Sequence, residues 1–575
     1  MLTSENTLDF ATILPDEILC SVFSFVQVNE PIPATGYDVG YRLQGSNYGW
    51  VKVTFVSHRW RKVAIEDATL WTSLTSKLGT RWLDEFVRRS KSALLIVDDG
   101  NFSAFSYAFY TNLPKSLRDK KLLLRVLTEH RDRIVSLRLH GPVHDVIEGA
   151  FIGALPTLKD VRLDGSDEST TYPVRELLDH APHLRRLHLN LPPFPFSALD
   201  WTHATWNGLT ALNLMLNARE AGILTPTFLD ALRRMHSLEE LIIREDGAKP
   251  LPLCCDYRCS GTPSDLIGMR CLKSMILGMR AEGHAHFLRH IRPPPHARLC
   301  LASHERIVVS AYEDRVRLLL SQDAHADAPV YEQLARALNN MLSSRAEAPV
   351  FQAAHMTFTE TLKETVLLGL TQTAQPSKPL DGHVLRYNEK PHEKNVNNLT
   401  LCYHDIRSSI ILPVLSLSTI HTLTLENVVT TQISEICVFF PSVERLRLSV
   451  ISELPRHNIR FLEDPTLLPM LRFVDMDASF FNLRTVLDCY SPQGARVVPE
   501  RFIALEDTLQ ARWEMGLPLQ VLLHVEEEVA LVKDGRIERT SCRGIREDVV
   551  RESVERLESV EGVLLVSWHF DPFAM

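Results

Sequence analysis

Apolar residues return along this chain in two rhythms, and each predicts a different architecture. Near the start, Ile18, Leu19, Val22, Phe23 and Val26 recur at helical spacing, an apolar stripe on a helix of about three turns. Pro15 suits the first turn of that helix, and Asp16 and Glu17 favour its positive end. Pro31, Pro33, Gly36, Gly40, Gly45 and Gly49 then predict a loop. Val53, Val56, Trp60, Val63 and Ala64 share one face of a second predicted helix, and Leu70, Trp71 and Leu74 seed a third hydrophobic element. Helices this short cannot bury all their apolar surface against one another, so part of it calls for a partner.

The second rhythm is a repeat. The pattern apolar-x-x-apolar-x-apolar begins at Ile134, Leu158, Leu184, Leu209, Leu238 and Leu272, and again at Val396, Ile420, Val443 and Leu471. Between these heads the steps are 24, 26, 25, 29 and 34 residues, then a gap of 124, then 24, 23 and 28. A near-constant step is the signature of stacked units, none of which closes a core alone. Several heads share a lead-in: Leu155-Pro156-Thr157, Ala181-Pro182-His183, Phe440-Pro441-Ser442 and Leu468-Pro469-Met470. Each unit reads as helix, turn and strand, which predicts a parallel sheet with helices outside. Lys91 to Val97 is a candidate first strand. The gap from 278 to 395 has room for four or five degenerate units, with strand candidates at Val308 to Leu320 and a helix from Tyr331 to Leu342. Ala374 to Lys390 reads as a loop. After Met476 the order helix, strand, strand, helix, strand predicts a cap for the sheet edge. The expected fold class is therefore α/β: a helical segment over 12–75, an irregular solenoid over 76–478 and a C-terminal α/β cap over 479–575.

Composition narrows the function. The chain has 575 residues, 45% of them hydrophobic and 23% charged, an ordinary globular balance spread over too many residues for one core. Its net charge of −9 argues against broad binding to nucleic acid. Ten cysteines with no C-x-x-C pair argue against a disulfide scaffold or a zinc finger. With no signal-like N-terminus and no long apolar run, the expected setting is intracellular, cytoplasmic or nuclear, with no membrane contact.

Taken in order, Leu14-Pro15-Asp16-Glu17-Ile18-Leu19, Val22-Phe23, Val56-Ser57-His58-Arg59-Trp60-Arg61-Lys62-Val63-Ala64 and Leu70-Trp71 resemble an F-box, with a longer Gly/Pro spacer of the kind found in fungal-type F-box families. The repeats behind it resemble leucine-rich repeats, although the asparagine ladder of the strict repeat is mostly absent. The resemblance implies a substrate receptor that docks on an SKP-type adaptor and, through it, on a cullin–RING ubiquitin ligase. Carried over by position, the adaptor contacts are Leu14, Pro15, Ile18, Leu19, Val22, Phe23, Val56 and Trp60. Trp71 is assigned to the module's own core, and Arg59, Arg61 and Lys62 to a solvated face. The alternative is a repeat scaffold for protein–protein interaction with no ligase role.

Chemistry of its own is not expected. Phosphate-binding glycine loops and nucleophile elbows are missing, and His304-Glu305 and His392-Glu393 lack the second histidine of a zinc-protease helix. His284, His286, His290, His296 and Cys300 are the densest ligand-type cluster, but their irregular spacing and Pro293-Pro294-Pro295 point to surface loops. No metal or cofactor is expected. A partner would meet the strand positions between the core-facing residues, among them Arg138, Arg162, His188, Asn213 and Arg447. The arginines suggest a weakly basic groove suited to an acidic or phosphorylated segment.

Overall fold

A computed structural model describes residues 14–30, 49–75, 80–98, 116–140, 153–164, 174–190, 199–217, 226–246, 266–279, 281–294, 297–302, 328–343, 353–359, 365–371, 399–404, 412–426 (except 416), 434–449 (except 435), 460–477, 500–525, 529–533, 536–540 and 566–570. The chain forms two compact units, residues 1–254 with 269–272, and residues 255–268 with 273–575. The division falls inside the stretch expected to be one solenoid, where the step between heads lengthens to 34 residues.

In the first unit, α1 (Asp16–Asn29) starts after Pro15 with Asp16 and Glu17 in its first turn. The second expected helix is broken in two. Gly49–Phe55 is a 3-10 segment, and α2 (His58–Glu66) restarts after Ser57, whose hydroxyl accepts from the Trp60 amide at 3.1 Å. That cap satisfies one of the orphan amides of the new helix and fixes where it begins. A 3-10 turn, Ala68–Trp71, then leads directly into β1 (Ser73–Leu74).

The sheet thus begins inside the helical module, before the strand the sequence had suggested as first. β1 pairs in parallel with β2 (Leu95–Asp98), and α3 (Thr80–Arg89) connects them. Trp71 lies 5.1 Å from Trp50 and 4.8 Å from Phe86 of α3, with the Arg89 guanidinium over its ring at 4.1 Å. Its indole N–H donates to Ala64 O at 2.7 Å. Glu85 bonds Arg88 and Arg89, which hold its carboxyl low, at about 2. Helical module and first repeat therefore share one aromatic core.

α4 (Ser116–Glu129), β3 (Ile134–His140), β4 (Asp160–Asp164), α5 (Val174–His180), β5 (Arg186–Asn190), β6 (Ala211–Asn217), α6 (Pro226–Arg234) and β7 (Glu240–Asp246) continue the unit. Strands β2 to β7 pair in parallel, each with the next in chain order. Leu137, Leu139, Val161, Leu163, Leu187, Leu189, Leu212 and Leu214 fill one face of this sheet.

The recurring lead-in has a structural reason. Each head's amide closes a turn on the carbonyl three residues earlier: Leu158 on Leu155, Leu184 on Ala181, Leu209 on Trp206 and Leu238 on Met235. Proline, where present, sits second in that turn, the position its fixed φ suits. The residue that opens the turn is buried in all four.

The device recurs at Leu272, the last residue of the first unit, and at Ile420, Val443 and Leu471 in the second unit. The elements of the second unit are β8 (Ile267–Gly268), β9 (Ser274–Gly278), α7 (Ala281–His290), β10 (Ile291–Arg292), β11 (Arg298–Ala302), α8 (Ala328–Ser343), β12 (Ala353–Thr359), β13 (Thr365–Thr371), β14 (Leu399–His404), β15 (Thr422–Glu426), β16 (Arg445–Ser449), β17 (Phe473–Asp477), α9 (Glu500–Glu514), β18 (Gln520–Val525), β19 (Val529–Lys533), β20 (Arg536–Thr540) and β21 (Val566–Phe570). The main sheet runs β9-β11-β14-β13-β12-β15-β16-β17-β18-β21.

Two expectations change here. β13 is antiparallel to both β12 and β14, so the long gap holds a reversed strand among its described residues instead of a run of uniform units. β18 joins β17 in parallel register, so the sheet continues past residue 479, and β19 and β20 form a separate antiparallel pair. α8 confirms the expected helix near Tyr331 to Leu342. Val308 to Leu320, Ala374 to Lys390, Val396 and Ile545 to Val560 lie outside the described residues.

Candidate functional site

Two surfaces of the first unit bear on function, one apolar and helical, the other polar and on the sheet. The helical surface is arranged by hydrogen bonds at both ends of α1. Arg59 bonds the Leu14 carbonyl and pairs with Asp16 at 2.7 Å, which sets the start of α2 beside the start of α1. At the other end Trp50 donates to Glu30 O at 2.8 Å, and Lys52 approaches Glu30 at 3.4 Å. The 49–59 segment therefore runs back along α1 in the opposite direction.

The apolar stripe read from the sequence spans about 140° of the helix, at 100° per residue, and the fold divides it. Leu19 and Phe23 are fully buried, and Phe23 packs on Trp60 with ring centroids 5.1 Å apart. Ile18 and Val22 point elsewhere and stay 46% and 36% exposed. Val56, at the break before α2, is 60% exposed, and Pro15 is exposed as well. Leu14 and Trp60 are half-buried. Leu19 and Phe23 are thus corrected from adaptor contacts to core residues: they pack α1 onto its neighbours and have no surface to offer. The Trp71 assignment to the core agrees with its full burial.

Three large side chains missed in the sequence join the exposed set. Phe25 is 70%, Val28 79% and Phe55 59% exposed. Helical angles alone carried part of the signal, because Ile18, Val22 and Phe25 fall within about 60° of one another on the wheel.

The sheet surface lies opposite the leucine-packed face. Register places Asp98, Arg138, Arg162, His188, Asn213 and Ile242 in one row across β2 to β7. The arginines are not bare. Arg138 sits 3.6 Å from both Asp98 and Asp160, and Asp160 also takes Arg186 at 2.9 Å and Ser136 at 3.2 Å. Arg162 bonds Asp164 at 2.6 Å, and His188 meets the same carboxylate at 3.2 Å. Burial pushes the His188 imidazole below its usual value, against the pull of Asp164. The expected basic groove is therefore corrected to an ion-pair lattice of cations with aspartates. A strongly anionic segment would face three carboxylates there as well as the arginines. Asn213 is half-buried on the same row. Arg447 belongs to the second unit, on β16 between Thr424 and Asp475 in register; sheet pairing alone does not unite it with the other four.

The histidine cluster is also corrected. His284, His286 and His290 lie on α7, not in surface loops, and the first two are buried. His284 bonds Leu277 O at 2.9 Å, and His286 packs on His290 at 4.9 Å. Burial lowers the His284 and His286 pKa values to about 4, so both are neutral core groups near pH 7. Among the described residues no three His, Cys, Asp or Glu side chains group as metal ligands.

Comparison with known proteins gives a specific result for the N-terminal segment: residues 11–77 match the F-box-like family model. Among solved structures, the chain is similar to the leucine-rich-repeat-containing protein LegL7 of Legionella pneumophila, at 10% identity and a TM-score of 0.23, over 75% of this chain and 93% of that one. No curated protein matches.

Proposed function

We propose that this chain, with its F-box-like segment ahead of leucine-rich-repeat-like units, is the substrate-recognition subunit of an SCF-type cullin–RING ubiquitin ligase. In this reading the F-box-like segment docks on an SKP-type adaptor and the repeats hold the protein to be modified. The observation that carries it is the exposure of Ile18, Val22 and Val56 on a segment matching the F-box-like model. Apolar anchors at helical spacing are the means by which a helix docks into a partner's groove.

The chemistry then belongs to the partners. This chain raises the effective concentration of a substrate near an activated ubiquitin, and supplies no reacting group. Arg138, Arg162, His188 and Asn213 remain candidate substrate contacts, now as members of a largely charge-neutral surface of the first unit, and Arg447 is a separate candidate on the second unit. Such a surface gains specificity from matched hydrogen bonds more than from net attraction. No described helix is long and apolar enough to cross a membrane, and we place the complex in the cytoplasm or nucleus.

The test is a pull-down of the purified full chain with purified SKP-type adaptor and cullin. Wild-type chain should retain both, and Ile18→Asp with Val56→Asp should lose both while the chain stays folded. Failure of the wild-type chain to retain the adaptor would overturn the reading.

A further inference from the structure

We infer that the adaptor contact extends along the whole of α1 and takes in Phe25, Val28 and Phe55, none of which occupies a position of the F-box pattern quoted above. The inference rests on the adaptor-docking reading. Its warrant is geometric. Phe25 follows Ile18 and Val22 on one face of α1, and Val28 stands at the rim of that face one turn further on. The stripe from Ile18 to Val28 is about 15 Å long at the rise of an α-helix.

Phe55 belongs to the same neighbourhood by chain path. The segment that begins at Trp50, bonded to Glu30, and reaches Arg59, bonded to Asp16, travels the length of α1. Phe55 lies midway along it, next to Val56; it is 59% exposed, with the Arg61 guanidinium 5.9 Å from its ring centroid.

Area favours the same conclusion. From their fractional exposures, Ile18, Val22 and Val56 present roughly 250 Å² of side chain, well short of the ~800 Å² that one partner contributes to a stable interface. Adding Phe25, Val28 and Phe55 brings the exposed side-chain area to roughly 700 Å². A patch of that size exceeds what monomers ordinarily leave in water, and aromatic side chains are the residues that most often carry binding energy. The occupant is the adaptor because the new residues continue the stripe already assigned to it. A separate second partner would have to compete for Ile18 and Val22.

The experiment measures affinity of the purified full chain for purified SKP-type adaptor by calorimetry. The variants are Ile18→Asp, Phe25→Asp, Phe55→Asp and Arg175→Asp, the last an exposed site on α5 away from the stripe. Phe25→Asp and Phe55→Asp should each weaken binding at least tenfold, Ile18→Asp should abolish it, and Arg175→Asp should leave it unchanged, all with unaltered thermal midpoints. If Ile18→Asp abolishes binding while Phe25→Asp and Phe55→Asp bind like wild type, the extension is wrong and the docking reading stands. Absence of wild-type binding removes both. Sedimentation showing a free dimer that Phe25→Asp converts to monomer would give the patch to a second copy of this chain and overturn the inference.

Discussion

The exposed face of α1 and the polar face of the β2–β7 sheet belong to one unit, yet they solve opposite problems. On the sheet, charge meets charge: Asp160 alone gathers Arg138, Arg186 and Ser136. On the helix, Phe25 and Val28 stand largely in water. The sheet face is satisfied without a partner and can wait unbound at little cost. The helix face carries an unrelieved hydrophobic penalty, which only association removes. Under the proposed function, assembly and substrate recognition fall to different surfaces by their chemistry.

The largest effect should come from breaking the joint between them. Trp71→Ala removes the ring shared by Trp50, Phe86 and Arg89, and should destabilise the first unit by about 3–5 kcal/mol. Denaturant unfolding followed by tryptophan fluorescence would read it. A loss below 1 kcal/mol would mean that module and sheet fold independently.

Acid probes the buried histidines of the second unit, which neither surface contains. His284 and His286 have folded pKa values of about 4, below the unfolded imidazole value near 6.5. Their contribution is therefore whole above pH 6.5 and is lost as pH falls from 6.5 through about 4, up to about 3 kcal/mol for each. Unfolding midpoints should fall between pH 6.5 and 4 in the wild-type chain, and less steeply in His284→Gln.

Asp160→Ala should cost about 1–2 kcal/mol, because it strips a half-buried lattice of its shared acceptor while solvent screens what remains. Chemical denaturation would check this, and no change would show the ion pairs to be decorative. Smallest of all for the fold is Ile18→Asp, expected within about 0.5 kcal/mol of wild type at an exposed site. Phe23→Ala, at a wholly buried site on the same helix packed against Trp60, should instead cost about 3 kcal/mol. Circular dichroism melts of the two variants would separate surface from core on one helix.

Much of this was legible in the chain. The heads at Ile134, Leu158, Leu184, Leu209 and Leu238 all mark buried entries to strands, since a fixed step and a local turn suffice to write a repeat. The helical module was legible for the same reason: its caps and apolar spacing are local. Side-chain direction within a stripe was not. Leu19 and Ile18 are adjacent and equally apolar, and only the packing of α1 against α2 and the 49–55 segment decided which faced inward. Nor did spacing reveal the reversed strand β13, the burial of His284 on α7, or the aspartates that neutralise Arg138 from the strands on either side.

Local rules, then, were enough for the sequence to determine the helices, the turns and the repeating strands. Tertiary structure decided what depends on neighbours distant in the chain: where the sheet begins, which charges are cancelled, and which apolar residues remain in water. The physical reason is range. Turn geometry and helical periodicity act over a few residues, whereas burial and ion pairing depend on segments some 20 to 40 residues apart, brought together only by stacking.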